Sequence, residues 1–132
     1  MKCYCGGPGS FENCCGRIIA GAGKAMTASE LMKSRYSAFC LRDADYLLAS
    51  WDPETRPPTL ELSDGREWLE LELGATTDGG PLDSEGTVEF YASYRDAGNA
   101  AAKPGLLAEH SRFRRVDGEW KYRDGMFLQA PT

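Results

Sequence analysis

Apolar residues recur at helical spacing in one part of this chain and at alternate positions in another, so the sequence divides into a helical segment followed by strands. Thr27-Ala28-Ser29-Glu30 has the form of a capping box, in which a hydroxyl and a carboxylate satisfy free backbone donors at a helix start. Ala28, Leu31, Met32, Arg35 and Phe39 then fall on one stripe, with Tyr36 and Cys40 along its edge. Asp43 caps a second, short helix carrying Tyr46, Leu47, Leu48 and Trp51. Pro53, Pro57 and Pro58 end it and impose an extended connection.

From about Glu67 the period becomes two. Leu69, Leu71 and Leu73 face one way and Glu70 and Glu72 the other, which is a half-buried strand. A loop from Thr77 to Gly86 leads to a second strand, with Val88, Phe90, Ala92 and Tyr94 on one side and Glu89, Tyr91, Ser93 and Arg95 on the other. Asn99 to Gly105 reads as a further loop. The last third is a hairpin about Asp117-Gly118, a strong two-residue turn signal. Pairing Val116 with Glu119 sets Phe113 opposite Tyr122 and Arg115 opposite Trp120.

That register sorts the hairpin into two faces. Arg112, Arg114, Lys121 and Arg123 share one, a basic patch in an otherwise acidic chain. Cross-strand pairing with Glu70, Glu72 and Glu89 is its structural reading, and a docking surface for RNA or an acidic partner its functional one. The other face carries Glu109, Ser111, Phe113, Trp120 and Tyr122. A carboxylate among aromatic residues must be paired, protonated or wetted, and Arg35 is its natural partner. An Arg35 to Glu109 ion pair is therefore the expected polar centre, and a ligand pocket that also involves Ser111, Tyr46 and Trp120 is the alternative. The single histidine, His110, falls on the face opposite Phe113, as a surface residue would.

Ahead of the helices the pattern is different in kind. Four of the five cysteines, Cys3, Cys5, Cys14 and Cys15, lie in the first fifteen residues of a glycine-rich segment with no apolar run to hold it. Four thiolates suit a tetrahedral zinc ion, with iron also compatible, and metal binding would supply the folding energy of such a segment. Disulfides would need an oxidising compartment, yet Met1-Lys2-Cys3 opens with no apolar stretch for export. A redox pair would ordinarily be Cys-x-x-Cys opening a helix. Four cysteine ligands also close the shell, whereas catalytic zinc keeps a position for water.

At 132 residues, with 42% hydrophobic content, the chain suits one ordinary domain and a small appendage, with no stretch able to span a bilayer. A cytoplasmic location is expected. The formal charge of −5, more negative still with four thiolates, argues against generic nucleic-acid binding.

The segment Cys3-Tyr4-Cys5-Gly6-Gly7-Pro8-Gly9-Ser10-Phe11-Glu12-Asn13-Cys14-Cys15-Gly16 resembles the SEC-C motif, which is named for the C-terminus of the SecA translocation ATPase. Leu31 to Phe39, Asp43 to Leu48, Val88-Glu89-Phe90, Glu109 to Phe113 and Asp117 to Trp120 are similar to the YchJ-like bacterial proteins. The resemblance covers essentially the whole chain. It implies zinc on Cys3, Cys5, Cys14 and Cys15, with a knuckle and connector over 1–24. Over 25–132 it implies an α+β domain of the nuclear transport factor 2-like, cystatin-like type, a cone of helices packed on a curved antiparallel sheet. The family's usual Gly-Ser-Gly-Lys and Trp-His-Pro are here Gly6-Gly7-Pro8-Gly9 and Trp51-Asp52-Pro53.

Two functions follow as expectations. In one, the chain is a non-enzymatic adaptor whose knuckle, through Tyr4, Phe11 and Arg17, docks on the ribosome, a chaperone or an export factor, with Lys2, Arg17 and Lys24 offsetting the thiolate charge. In the other, the cone binds or transforms a small molecule. The outer sheet face around Tyr91 is a further candidate, for homodimer formation.

Overall fold

The computed structural model describes residues 2–60, 62, 65–96, 98, 99, 101 and 103–128. After a 3-10 turn at Phe11–Asn13 come three helices, α1 (Cys15–Ile19), α2 (Ala28–Leu41) and α3 (Ala44–Ala49). Four strands follow, β1 (Arg66–Asp78), β2 (Glu85–Asp96), β3 (Gly105–Val116) and β4 (Glu119–Phe127). They form one antiparallel sheet in the order β1-β2-β3-β4, the meander that short connections favour. The α+β class and the helices-then-strands order match the sequence reading.

Both predicted caps form. Thr27 Oγ1 accepts from Glu30 N at 3.1 Å, while the Glu30 carboxylate reaches one residue further back, to Met26 N at 2.8 Å. Asp43 Oδ1 accepts from Tyr46 N at 3.0 Å. Helix α2 is more buried than a single stripe requires, because Ser34, Ser37 and Ala38 are fully enclosed as well as Leu31 and Met32. One side meets the sheet and the other meets the cysteine segment, so small residues replace the expected polar face. Helix α3 ends before Trp51, which instead bridges in parallel to Tyr122. Tyr122 N donates to Ser50 O and Asp52 N donates to Tyr122 O, so residues 50–52 cover the free edge of β4.

The hairpin register is the expected one, with Val116 opposite Glu119, Arg115 opposite Trp120 and Phe113 opposite Tyr122. Asp117 and Gly118 have φ of 53° and 83°, the two positive values of a type I′ turn. The sheet has three register shifts that were not legible, one of them between Leu73 and Thr76, and the other two change the predicted faces. One lies between Trp68 and Glu70, so Trp68 packs on the core with Leu71 and Leu73, while Leu69 does not. The other makes Arg123 the extra residue between Tyr122 and Asp124, which sets Asp124 opposite Arg112. The Thr77 to Gly86 loop is shorter than expected, since β1 reaches Asp78 and β2 starts at Glu85. Of the Asn99 to Gly105 loop, residues 100 and 102 lie outside the described residues.

The basic face differs from its expectation too. Its partners are not Glu70, Glu72 and Glu89. Arg114 and Arg123 both reach the fully buried carboxylate of Asp52 and also Glu54, Arg112 pairs with Asp124, and Lys121 reaches Glu119 and Ala49 O. Asp52 is the hub because residues 50–52 run along β4. The patch is therefore neutralised by residues that one-dimensional alternation does not bring near it. Glu89 meets His110 instead, at 3.4 Å.

Candidate metal centre and the cone interior

The cysteine segment is built from short-range bonds. Cys3 N donates to Gly9 O and Lys2 bridges to Ser10, while Gly6 N donates to Cys3 O to close the first turn. Gly6 has φ of 85°, which a side chain would oppose. The Phe11–Asn13 turn returns the chain, and Cys14 and Cys15 enter α1 opposite the first pair.

The four sulfurs converge within 4.8 Å of one another, with Cys5 and Cys14 Sγ 3.6 Å apart. A tetrahedral zinc site with ~2.3 Å bonds separates its sulfurs by roughly 3.8 Å, so this set fits such an ion in both chemistry and spacing. Cys3, Cys5 and Cys15 are buried, and Phe11 and Ile19 pack against them. Burial opposes ionisation of Cys3, but backbone hydrogen bonds from Cys5 and Cys15 outweigh it and bring its thiol down to about 6. Burial, followed by the neighbouring sulfurs, pushes Cys14 and Cys15 up. Crowded thiols that resist joint ionisation are what a divalent cation relieves.

Helix α2 contributes one group here that no sequence pattern singles out. Ser37, fully buried, places its Oγ 3.8 Å from Cys3 Sγ. A thiolate can only accept, so with ionised cysteines this hydroxyl donates.

The cone interior holds a cavity of about 290 Å³. Its walls are largely apolar, with Met32, Phe39, Trp68, Phe90 and Leu107 among them, and Arg35 and Glu109 also line it. The expected Arg35 to Glu109 ion pair is not made. Arg35 Nη1 donates to Leu47 O and Ser50 Oγ, both at 2.7 Å, and the guanidinium lies 5.1 and 4.6 Å from the Trp51 and Tyr122 ring centroids. Burial pulls its pKa down to about 10, so it remains a cation at neutral pH. Glu109 accepts instead from Ser111 Oγ at 2.7 Å and Tyr122 Oη at 3.2 Å. Tyr122 stands between the two charges, its ring against one and its hydroxyl on the other. Gly125, opposite Ser111, makes this possible, since a Cβ there would lie 2.3 Å from Glu109 Oε1.

Ser111 is thus at the polar centre, behind Glu109. Tyr46 and Trp120, also expected there, do not line the cavity. Tyr46 faces Ser34 at 2.6 Å, and Trp120 Nε1 donates to Met26 O beside the start of α2. Trp51 and Tyr122 do line the cavity, which only the 50–52 segment along β4 explains.

Residues 27–125 match the family described as YchJ, middle NTF2-like domain. The chain belongs to this YchJ-like family. A UPF0225 protein of Streptomyces coelicolor is 50% identical over 126 residues, covering 96% of this chain and 95% of its own. One from Corynebacterium glutamicum is 43% identical over 124 residues, covering 94% and 95%. The solution structure of a SEC-C motif containing protein from Rhodopseudomonas palustris has a TM-score of 0.82 at 32% identity, covering 98% of this chain and all of that one, 100%. The crystal structure of a SEC-C motif containing protein from Psychrobacter arcticus shares the fold at a TM-score of 0.65 and 22% identity, over 98% and 84% of the two chains. The YchJ-like chain thus carries an N-terminal SEC-C cysteine cluster and a nuclear transport factor 2-like α+β domain. No described helix is long and apolar enough to cross a membrane.

Proposed function

We propose that this YchJ-like protein is a non-enzymatic, zinc-carrying docking module of the cytoplasm, whose SEC-C knuckle meets a ribosomal, chaperone or export partner. The observation that carries this reading is the convergence of four cysteine sulfurs within 4.8 Å. Four thiolates complete a tetrahedral shell, which leaves no position for a substrate or an activated water and favours a structural use of the ion. The knuckle offers Tyr4, 38% exposed and set edge-on to Phe11 at 5.6 Å, together with the exposed Arg17, as contact residues. Reduced thiolates agree with a cytoplasmic setting.

Protein purified without chelators should contain about one zinc per chain by elemental analysis. Zinc-loaded protein should pellet with ribosomes or hold a purified chaperone, and Cys14→Ser should lose both metal and pelleting. Iron at equal stoichiometry would correct the metal, full zinc in Cys14→Ser would refute the ligand set, and zinc-loaded protein that binds none of these partners would remove the docking reading.

The 290 Å³ cavity favours a second reading, in which the cone holds a small molecule. The two uses occupy different parts of the molecule and are compatible.

A further inference from the structure

We propose that the cone cavity binds a small monocarboxylate with an apolar body, its carboxylate held by Arg35. This rests on the reading of the cone as a small-molecule site and specifies its ligand.

The argument begins with unused donors. Arg35 is 3% exposed and lines the cavity, yet among the described residues only its Nη1 has hydrogen-bond acceptors, Leu47 O and Ser50 Oγ. Among the described residues no acceptor meets Nε or Nη2, and no carboxylate pairs with the charge. A buried guanidinium is ordinarily matched by an anion, and its planar edge suits a carboxylate through two parallel N–H···O bonds. The acceptor side of the cavity is already engaged. Each oxygen of Glu109 has a donor of its own, from Ser111 or from Tyr122. The unmet capacity is therefore that of a donor and a cation, and the matching ligand group is an anionic acceptor.

The rest of the cavity describes the ligand's body. Met32, Phe39, Trp68, Phe90 and Leu107 make most of it apolar, with Tyr36, Trp51 and Arg66, whose guanidinium lies 4.1 Å from the Tyr94 ring centroid, also in the lining, so the complementary body is aromatic or aliphatic. A cavity of about 290 Å³ is close to twice the ~150 Å³ that accommodates benzene, which suits a body of roughly ten heavy atoms. Glu109 limits the charge. A second anionic group next to the first would face its carboxylate, so a single carboxylate suits this end of the cavity. Phe127, 73% exposed, also lines the cavity and marks the side open to solvent.

The test uses the full-length, zinc-loaded protein at neutral pH, with 4-phenylbutyrate as probe and its primary amide and primary alcohol as isosteric neutral controls. Binding is followed by the indole N–H resonances in two-dimensional NMR. The Trp51 indole, whose ring stacks on the guanidinium and whose Nε1 is buried without an acceptor, is the closest reporter. The expected result is saturable shifts of the Trp51 and Trp68 signals, with the acid bound at least about tenfold more tightly than the amide or alcohol. Leu107→Trp, which fills the cavity from β3 without touching the charge, should abolish binding. Equal affinity for acid, amide and alcohol would overturn the assignment to an anion and leave the small-molecule reading intact. Absence of binding by all three up to about 10 mM would overturn both. Undiminished binding of the acid to Leu107→Trp would place it outside the cavity and overturn the proposal.

Discussion

Ser37→Ala tests whether helix α2 belongs to the metal centre or merely lies beneath it. Ser37 is fully buried, and its hydroxyl lies 3.8 Å from Cys3 Sγ. With Cys3 ionised it is a donor to thiolate, a charge-assisted bond of about 1.5–3 kcal/mol. A separation of 3.8 Å is long even for sulfur, so the low end applies, and about 1.4 kcal/mol corresponds to a factor of ten in dissociation constant. Removing one oxygen leaves a void smaller than a methyl group, so the fold should be little disturbed. Competition for zinc against a chromophoric chelator at neutral pH should then show affinity weakened about tenfold, within the range for groups that orient metal ligands. Ser34→Ala is the control. Its hydroxyl is equally buried but donates to Leu31 O and meets Tyr46 Oη, so the variant should keep wild-type zinc affinity. Zinc affinity of Ser37→Ala within about twofold of wild type, or an equal loss in Ser34→Ala, would refute the coupling.

Two other predictions concern the polar groups of the cone. Asp52→Asn removes the charge shared by Arg114 and Arg123 and should destabilise the protein by about 2–3 kcal/mol, less than a fully buried pair because both guanidinia are about a third exposed. At roughly 2 cal/mol/K per residue that lowers the Tm by about 7–11 °C in a thermal melt. Arg114, followed by the Glu54 backbone N–H and Arg123, holds the Asp52 carboxyl well below its ordinary value of 3.8. The stabilisation is therefore complete above that value and is lost as pH falls toward the folded one. The wild-type advantage over Asp52→Asn should shrink steadily below about pH 4, and a constant difference across that range would contradict the hub assignment. Gly125→Ala sets a Cβ 2.3 Å from Glu109 Oε1 and should cost about 1–3 kcal/mol by displacing Glu109, readable as a lowered denaturation midpoint. Unchanged stability would show that Glu109 does not depend on the close approach of β4.

Much of the architecture was legible because it rests on local rules. Thr27 and Asp43 cap the helices where hydroxyl and carboxylate chemistry puts them, and Asp117-Gly118 set the hairpin register because few residue pairs accept two positive φ angles in succession. Alternation placed Val88, Phe90, Ser111 and Phe113 inside for the same reason, since a two-residue repeat leaves no choice of face. The cysteines could be assigned to one cluster from their number and spacing, because such a segment has no other means of holding itself together.

Long-range partners were out of reach. Alternation fails at a bulge, and bulges at Leu69 and Arg123 shifted which residues face inward. The expected Arg35 to Glu109 pair was sound as electrostatics, but the path of residues 50–52 along β4 gave Arg35 a carbonyl, a hydroxyl and two aromatic rings and brought Asp52 to the basic face. Ser37 became a neighbour of the sulfurs only because the knuckle packs on α2. The sequence by itself determined the element order, the hairpin and the identity of a metal-competent cluster, all set by interactions within a few residues. Only the tertiary structure decided which charges meet, which stay unpaired and where a cavity remains, because those depend on surfaces joined across tens of residues.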